Sequence, residues 1–189
     1  EDRYSSPASP LTVPNPAGHP VTLTGPDGAV YFSGLGASAE GDRPFVDRVD
    51  LKTGLSERLW RSEAPYYEAP VAVLGESGRM LLTLRESLTE PPNYFLRDLS
   101  SGDLRPLTRF ADPAPQLKGI SKELVKYTRA DGVELSGTLY LPPGYEGGRA
   151  PLLMCAYPRE VKSAGAAGQA TGSPDRVIRR APTGPLLLV

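Results

Sequence analysis

D-L-K-T-G at Asp50–Gly54 returns as D-L-S-S-G at Asp98–Gly102, and the same offset of 48 positions carries Pro44 to Pro92, Leu59 to Leu107 and Arg61 to Arg109. A fixed offset of this size marks a structural repeat. Each copy reads as four short strands. In the first they are Val21–Thr24, Ala29–Ser33, Phe45–Leu51 and Ser56–Arg61; in the second, Val71–Leu74, Met80–Arg85, Tyr94–Leu99 and Leu104–Thr108. Asp27-Gly28 and Ser77-Gly78 separate the first two strands of each copy, and Thr53-Gly54 and Ser101-Gly102 the last two. Such pairs supply the positive φ that a hairpin turn requires. Four strands in roughly 40 to 50 residues is the period of a β-propeller blade.

Composition agrees with a mainly β chain. The 189 residues include 20 glycines and 21 prolines, above the roughly 7% and 5% of ordinary proteins, and 39% hydrophobic residues still allow a packed core. The formal net charge of -1 gives no reason to expect nucleic acid or an anionic membrane surface as partner. No apolar run approaches the roughly 20 residues of a membrane span. The polar opening Glu1-Asp2-Arg3-Tyr4 has no signal-peptide pattern, and the chain is expected not to start where its gene does. One cysteine, Cys155, excludes an internal disulfide framework and leaves the compartment undetermined.

Around the repeat, residues 1–20 carry five prolines and read as an extended linker, 21–109 as the two blades, and 110–123, with Pro113 and Pro115, as an interdomain linker. In 124–189, Leu124–Tyr127 and Leu135–Leu141 flank the turn Arg129-Ala130-Asp131-Gly132 as a hairpin. Leu152-Leu153-Met154-Cys155-Ala156, bounded by Pro151 and Pro158, has the length and apolarity of a strand buried on both faces. Cys155 then reads as an inert buried thiol. Tyr157 follows at the carboxyl end of that strand, where open α/β sheets place ligand sites. Leu186–Val189 reads as a further buried element.

The stretch P-L-L-M-C-A-Y-P-R-E-V-K-S-A-G-A-A-G-Q-A-T-G-S-P, Pro151 to Pro174, resembles the start of the hydrolase domain of prolyl oligopeptidase-type serine peptidases. Within them it is most similar to the glutamyl endopeptidase branch. E-D-R-Y-S-S-P-A-S-P at the start, Gly36–Thr53 and P-P-N-Y-F-L-R-D at Pro91–Asp98 fit the same branch. The resemblance implies the last two blades of a β-propeller followed by the N-terminal strands of an α/β-hydrolase domain, acting on a peptide substrate after acidic residues. It further implies that Tyr157 donates its hydroxyl to the developing oxyanion. Many relatives have glycines after that tyrosine; here Pro158 and Arg159 follow, as in the glutamyl branch. A guanidinium at Arg159 suits bidentate pairing with an acidic substrate side chain.

Nucleophilic serine catalysis needs a G-x-S-x-G elbow, then Asp, then His. Gly75-Glu76-Ser77-Gly78-Arg79 and Gly36-Ala37-Ser38-Ala39-Glu40 both fail the pattern and sit between propeller strands. The triad is therefore expected beyond Val189, and the chain alone is expected to be inactive. His19, in a Gly-His-Pro loop, has no orienting carboxylate nearby. One His and one Cys cannot form a zinc site, and no phosphate loop or cofactor motif occurs. The pair Tyr66-Tyr67 reads as packing. An unpaired blade face and an incomplete sheet should associate, giving a homo-oligomer. A propeller binding module without catalysis, and a non-peptidase α/β hydrolase, remain alternatives.

Overall fold

Twelve strands and almost no helix make up residues 2–75, 78–156 and 163–179, which a computed structural model describes. In chain order the strands are β1 (Ser9–Pro10), β2 (Thr12–Pro14), β3 (Pro20–Thr22), β4 (Val30–Gly34), β5 (Phe45–Val49) and β6 (Ser56–Arg61). After them come β7 (Tyr67–Leu74), β8 (Met80–Glu86), β9 (Asn93–Asp98), β10 (Leu104–Pro106), β11 (Ser121–Thr128) and β12 (Glu134–Leu141). A short 3-10 turn at Pro115–Leu117 precedes β11, and the four-residue helix α1 (Ala164–Ala167) follows β12, with Ser163 as its N-cap. Among the described residues no helix is long and apolar enough to cross a membrane.

All pairings are antiparallel. One four-stranded sheet has the order β1-β4-β5-β6, a second has β10-β9-β8-β7, and β11-β12 and β2-β3 are two-stranded. Among the described residues the sheets form no closed barrel. Pro70 lies in β7, an edge strand, beside a register shift between Pro70 and Ala72. Edges and bulges are the places where a missing N–H costs no ladder bond.

The 48-residue repeat holds atom by atom at its turns. The Asp50 carboxylate accepts from the backbone N–H of Lys52 at 2.7 Å and Thr53 at 3.2 Å; the Asp98 carboxylate accepts from Ser100 at 2.7 Å and Ser101 at 3.3 Å. Gly54 and Gly102, at φ +73° and +80°, then donate to the Asp50 and Asp98 carbonyls at 2.8 and 2.9 Å. Each aspartate caps its own turn as an Asx motif, which is why the signature survives while the strands around it diverge.

The two four-stranded sheets share a core. Tyr31 and Val46 from the first meet Val73 and Leu81 from the second, with Leu11, Leu23, Leu59, Trp60 and Leu99 packed around them. Alternation in β8 turns Leu81 and Thr83 to one face, and both are fully buried. Full burial of a side chain such as Leu81 contributes about 1.5–3 kcal/mol. The Thr83 hydroxyl donates at 2.7 Å to Glu68, whose buried carboxylate also takes two bonds from Arg97, at 3.1 and 2.8 Å. A smaller core joins Leu117, Ile120 and Ile178.

Four expectations are corrected. Residues 1–20 are not simply a linker: Ser9–Pro10, rather than Val21–Thr24, forms the outer strand of the first sheet, and Leu11 N–H donates to the Tyr31 carbonyl. Val21 lies instead in a β2–β3 hairpin, closed by Asn15, whose side chain accepts from Ala17 and His19 N–H. Pro151–Ala156 forms no strand, and Leu152 and Met154 are 75% and 78% exposed. A strand buried on both faces needs neighbouring strands and covering helices, and among the described residues only the 3-10 turn, the β11–β12 hairpin and α1 follow the second sheet. Cys155 is consequently exposed rather than buried.

Candidate functional site

β8 reads M-L-L-T-L-R-E, and its last residue decides how the C-terminal described segment attaches. Glu86 is 1% exposed. A carboxylate that deep must be paired or hydrogen-bonded. Its Oε1 accepts from Arg179 at 2.9 Å and Arg176 at 3.3 Å, and its Oε2 from the Val177 backbone N–H at 3.1 Å. Arg176 also lies over the ring of Tyr67, 4.7 Å from its centroid, and burial pushes the Tyr67 phenol above its ordinary range.

The β4–β5 loop approaches the same segment. Asp42, buried, donates its N–H to the Gly172 carbonyl at 2.8 Å, and Arg43 pairs with Asp175 at 2.5 Å. The Asp42 carboxylate is held in turn by Arg3, with bonds of 2.9 and 3.1 Å, and Tyr4 accepts the Ala170 N–H at its hydroxyl. Gly41 packs so closely here that a Cβ would stand 2.8 Å from Pro174.

The β11–β12 hairpin closes the remaining side. Lys122 donates through Nζ to the carbonyls of Ser173 at 2.7 Å and Arg176 at 3.3 Å. Burial, and then the Arg176 guanidinium, hold its ammonium below the usual lysine range. Between the hairpin and residues 170–179 lies a cavity of about 300 Å³. A second one, about 560 Å³, opens between the N-terminal segment and the β4–β5 loop, beside Arg58 and Tyr67.

The residues singled out from sequence distribute unevenly. Tyr157 and Arg159 lie outside the described residues, as do Leu186–Val189 and Ser77. Ser38 is a turn residue, its hydroxyl donating to the Gly41 carbonyl at 2.8 Å. His19 is exposed in the β2–β3 turn. Tyr66 lies beneath the Arg85 guanidinium, 3.3 Å from the ring centroid, and Tyr67 is buried, so both pack as expected. Among the described residues no His/Cys/Asp/Glu group has metal-binding geometry. Sequence reasoning missed Glu86, Lys122, Arg176 and Arg179. An acid closing an apolar strand run was the one available signal.

No protein-family model matches the chain. A probable chloroplastic glutamyl endopeptidase of Oryza sativa subsp. japonica is 39% identical over 203 residues, covering 99% of this chain and 22% of the relative. The likeness is to peptidases. A probable chloroplastic glutamyl endopeptidase of Arabidopsis thaliana is 38% identical over 204 residues, again across 99% of this chain and 21% of the relative. The chain thus spans about a fifth of the length of the curated relatives it matches. Among solved structures, an AtxE2 isopeptidase variant with an astexin bound covers 87% of this chain and 25% of its own, at a TM-score of 0.47 and 18% identity. The ligand-free AtxE2 isopeptidase gives 0.44 and 19%, over 76% of this chain and 23% of its own.

Proposed function

We propose that this chain is part of a serine peptidase of the prolyl oligopeptidase type that cleaves peptide bonds after acidic residues. The observation that carries the reading is the 39% identity to a glutamyl endopeptidase across 99% of the chain. In this reading the two four-stranded sheets, up to residue 109, are the last two propeller blades. Residues 110–123 link them to the peptidase domain, whose first hairpin is β11–β12. Matching Asx turns and a shared core support the blade assignment, because blades stack on their neighbours through such faces.

The chemistry would proceed through an acyl-enzyme. A serine Oγ, deprotonated by a histidine that an aspartate orients, attacks the peptide carbonyl; the amine leaves with the histidine's proton, and water hydrolyses the ester. All three triad residues would come from sequence outside residues 1–189. Tyr157 would donate its hydroxyl to the tetrahedral oxyanion, and Arg159 would pair with the substrate's acidic side chain. Residues 1–189 by themselves would not turn over substrate.

Tyr157→Phe in the complete gene product tests this. Removing one oxyanion donor should lower kcat on a glutamyl peptide about 10²–10³-fold with KM little changed. Parent-like kcat would remove Tyr157 from that role. Hydrolysis by residues 1–189 alone, blocked by a serine-directed inhibitor, would overturn the arrangement as a whole.

A further inference from the structure

The cavity between the β11–β12 hairpin and residues 170–179 carries more cation than its own carboxylates neutralise. Its walls include Lys122, Glu123, Tyr140, Ser173, Arg176 and Arg179. Arg43 and Asp175 cancel each other nearby. Arg176 and Arg179 share a single carboxylate, Glu86, which lies beneath them with a side chain 2% exposed. Lys122 has no ion-pair partner among the described residues; its two bonds go to backbone carbonyls. Three cations therefore face two anions, Glu86 and the exposed Glu123.

The donors are not exhausted. A guanidinium has five N–H groups and an ammonium three, and Arg179 directs one nitrogen, and Arg176 one, at Glu86. What remains are unused donors on two guanidinium groups and one ammonium that line a cavity of about 300 Å³. Guanidinium forks match a carboxylate's two oxygens, and partial burial strengthens the attraction relative to open water.

We propose that this cavity is a binding site for a small organic carboxylate, with Lys122 and Arg179 as its charge partners. The assignment rests on the cavity and not on the peptidase reading, so either can fail without the other. Glu123 opposes the ligand electrostatically and sets the affinity from the rim.

Calorimetric titration of the 189-residue chain with glutarate, at low ionic strength where screening is weak, tests the site. Saturable binding is expected, absent with the uncharged dimethyl ester and weaker with sulfate. Lys122→Met and Arg179→Gln should each weaken glutarate by about tenfold, the loss of one hydrogen bond to a charged group. Glu123→Gln removes an exposed anion without touching a cation and should tighten binding about threefold; it decides the matter if the cation variants fail to fold by circular dichroism. Absence of saturable glutarate binding, sulfate binding as tightly as glutarate, or a parent-like affinity in Glu123→Gln would each overturn the proposal.

Discussion

Glu86 and Arg179 lie 93 positions apart and meet at 2.9 Å, so the last residue of β8 fastens the C-terminal described segment to the second sheet. The two ends of this contact are unequal. Glu86 has a side chain 2% exposed, whereas Arg179 and Arg176 are 53% and 38% exposed. A stranded arginine can return to water; a stranded Glu86 cannot.

Removing the arginines should therefore cost more than removing the acid. The double variant Arg176→Ala, Arg179→Ala leaves a buried, unpaired carboxylate and should lose about 3–5 kcal/mol. Glu86→Gln keeps an acceptor for Val177 and should lose about 1–3 kcal/mol. Urea denaturation of both variants gives the order, and equal losses would contradict this account.

The Asx turns should contribute independently. Asp50→Ala and Asp98→Ala each remove two bonds that the carboxylate accepts from backbone N–H groups, share no partner and should lower the unfolding midpoint additively. Asp98 adds a pH signature. The Ser100 and then the Ser101 N–H groups hold its carboxyl below the usual range. Its contribution is thus present above the ordinary aspartate pKa and is lost as pH falls through the lower, folded value. Acid unfolding curves of parent and Asp98→Ala should converge in that interval.

Gly78 is a packing constraint as well as a turn. Its φ is +66°, and an added Cβ would lie 1.8 Å from the hydroxyl of Tyr31, a core residue 3% exposed. Gly54 shares the positive φ, +73°, but faces open space. Gly54→Ala should cost about 1–2 kcal/mol from backbone strain alone. Gly78→Ala adds overpacking of a further 1–3 kcal/mol or so. Thermal melts that rank the two equally would show that Tyr31 yields without penalty.

Lys122 makes stability rise with pH. Its folded pKa lies below that of an ordinary lysine. Between the two values the unfolded chain binds more protons than the folded one, so raising pH through that window favours folding. The stability of the parent minus that of Lys122→Met should increase as pH rises from the lower, folded value towards about 10.4, the ordinary lysine pKa. A flat or falling difference would mean that Lys122 is not desolvated.

Much of the strand order was readable because its causes are local. Ser56–Arg61 appears with those bounds, β8 and β9 within a residue of the expected ends, and the β11–β12 hairpin around Arg129–Gly132. Alternation, turn glycines and Asx aspartates act within a few positions of one another. The first sheet's outer strand was not readable, since Ser9–Pro10 is two residues long and its place comes from pairing with Ser33 and Phe32. Pro151–Ala156 failed in the opposite direction: a strongly apolar run announces burial, but burial depends on partners that the run does not contain.

The candidate site divides along the same line. Residue chemistry alone determined that this is a mainly β, turn-rich chain with a 48-residue repeat and no metal-ligand set of histidines and cysteines. Which charges meet was decided only in three dimensions. Glu86, Lys122, Arg176 and Arg179 come from a strand end, a hairpin and a loop whose sequences carry no mutual spacing. Coulomb attraction and desolvation depend on distance through space and on depth from water, and neither quantity is written in the order of residues along the chain.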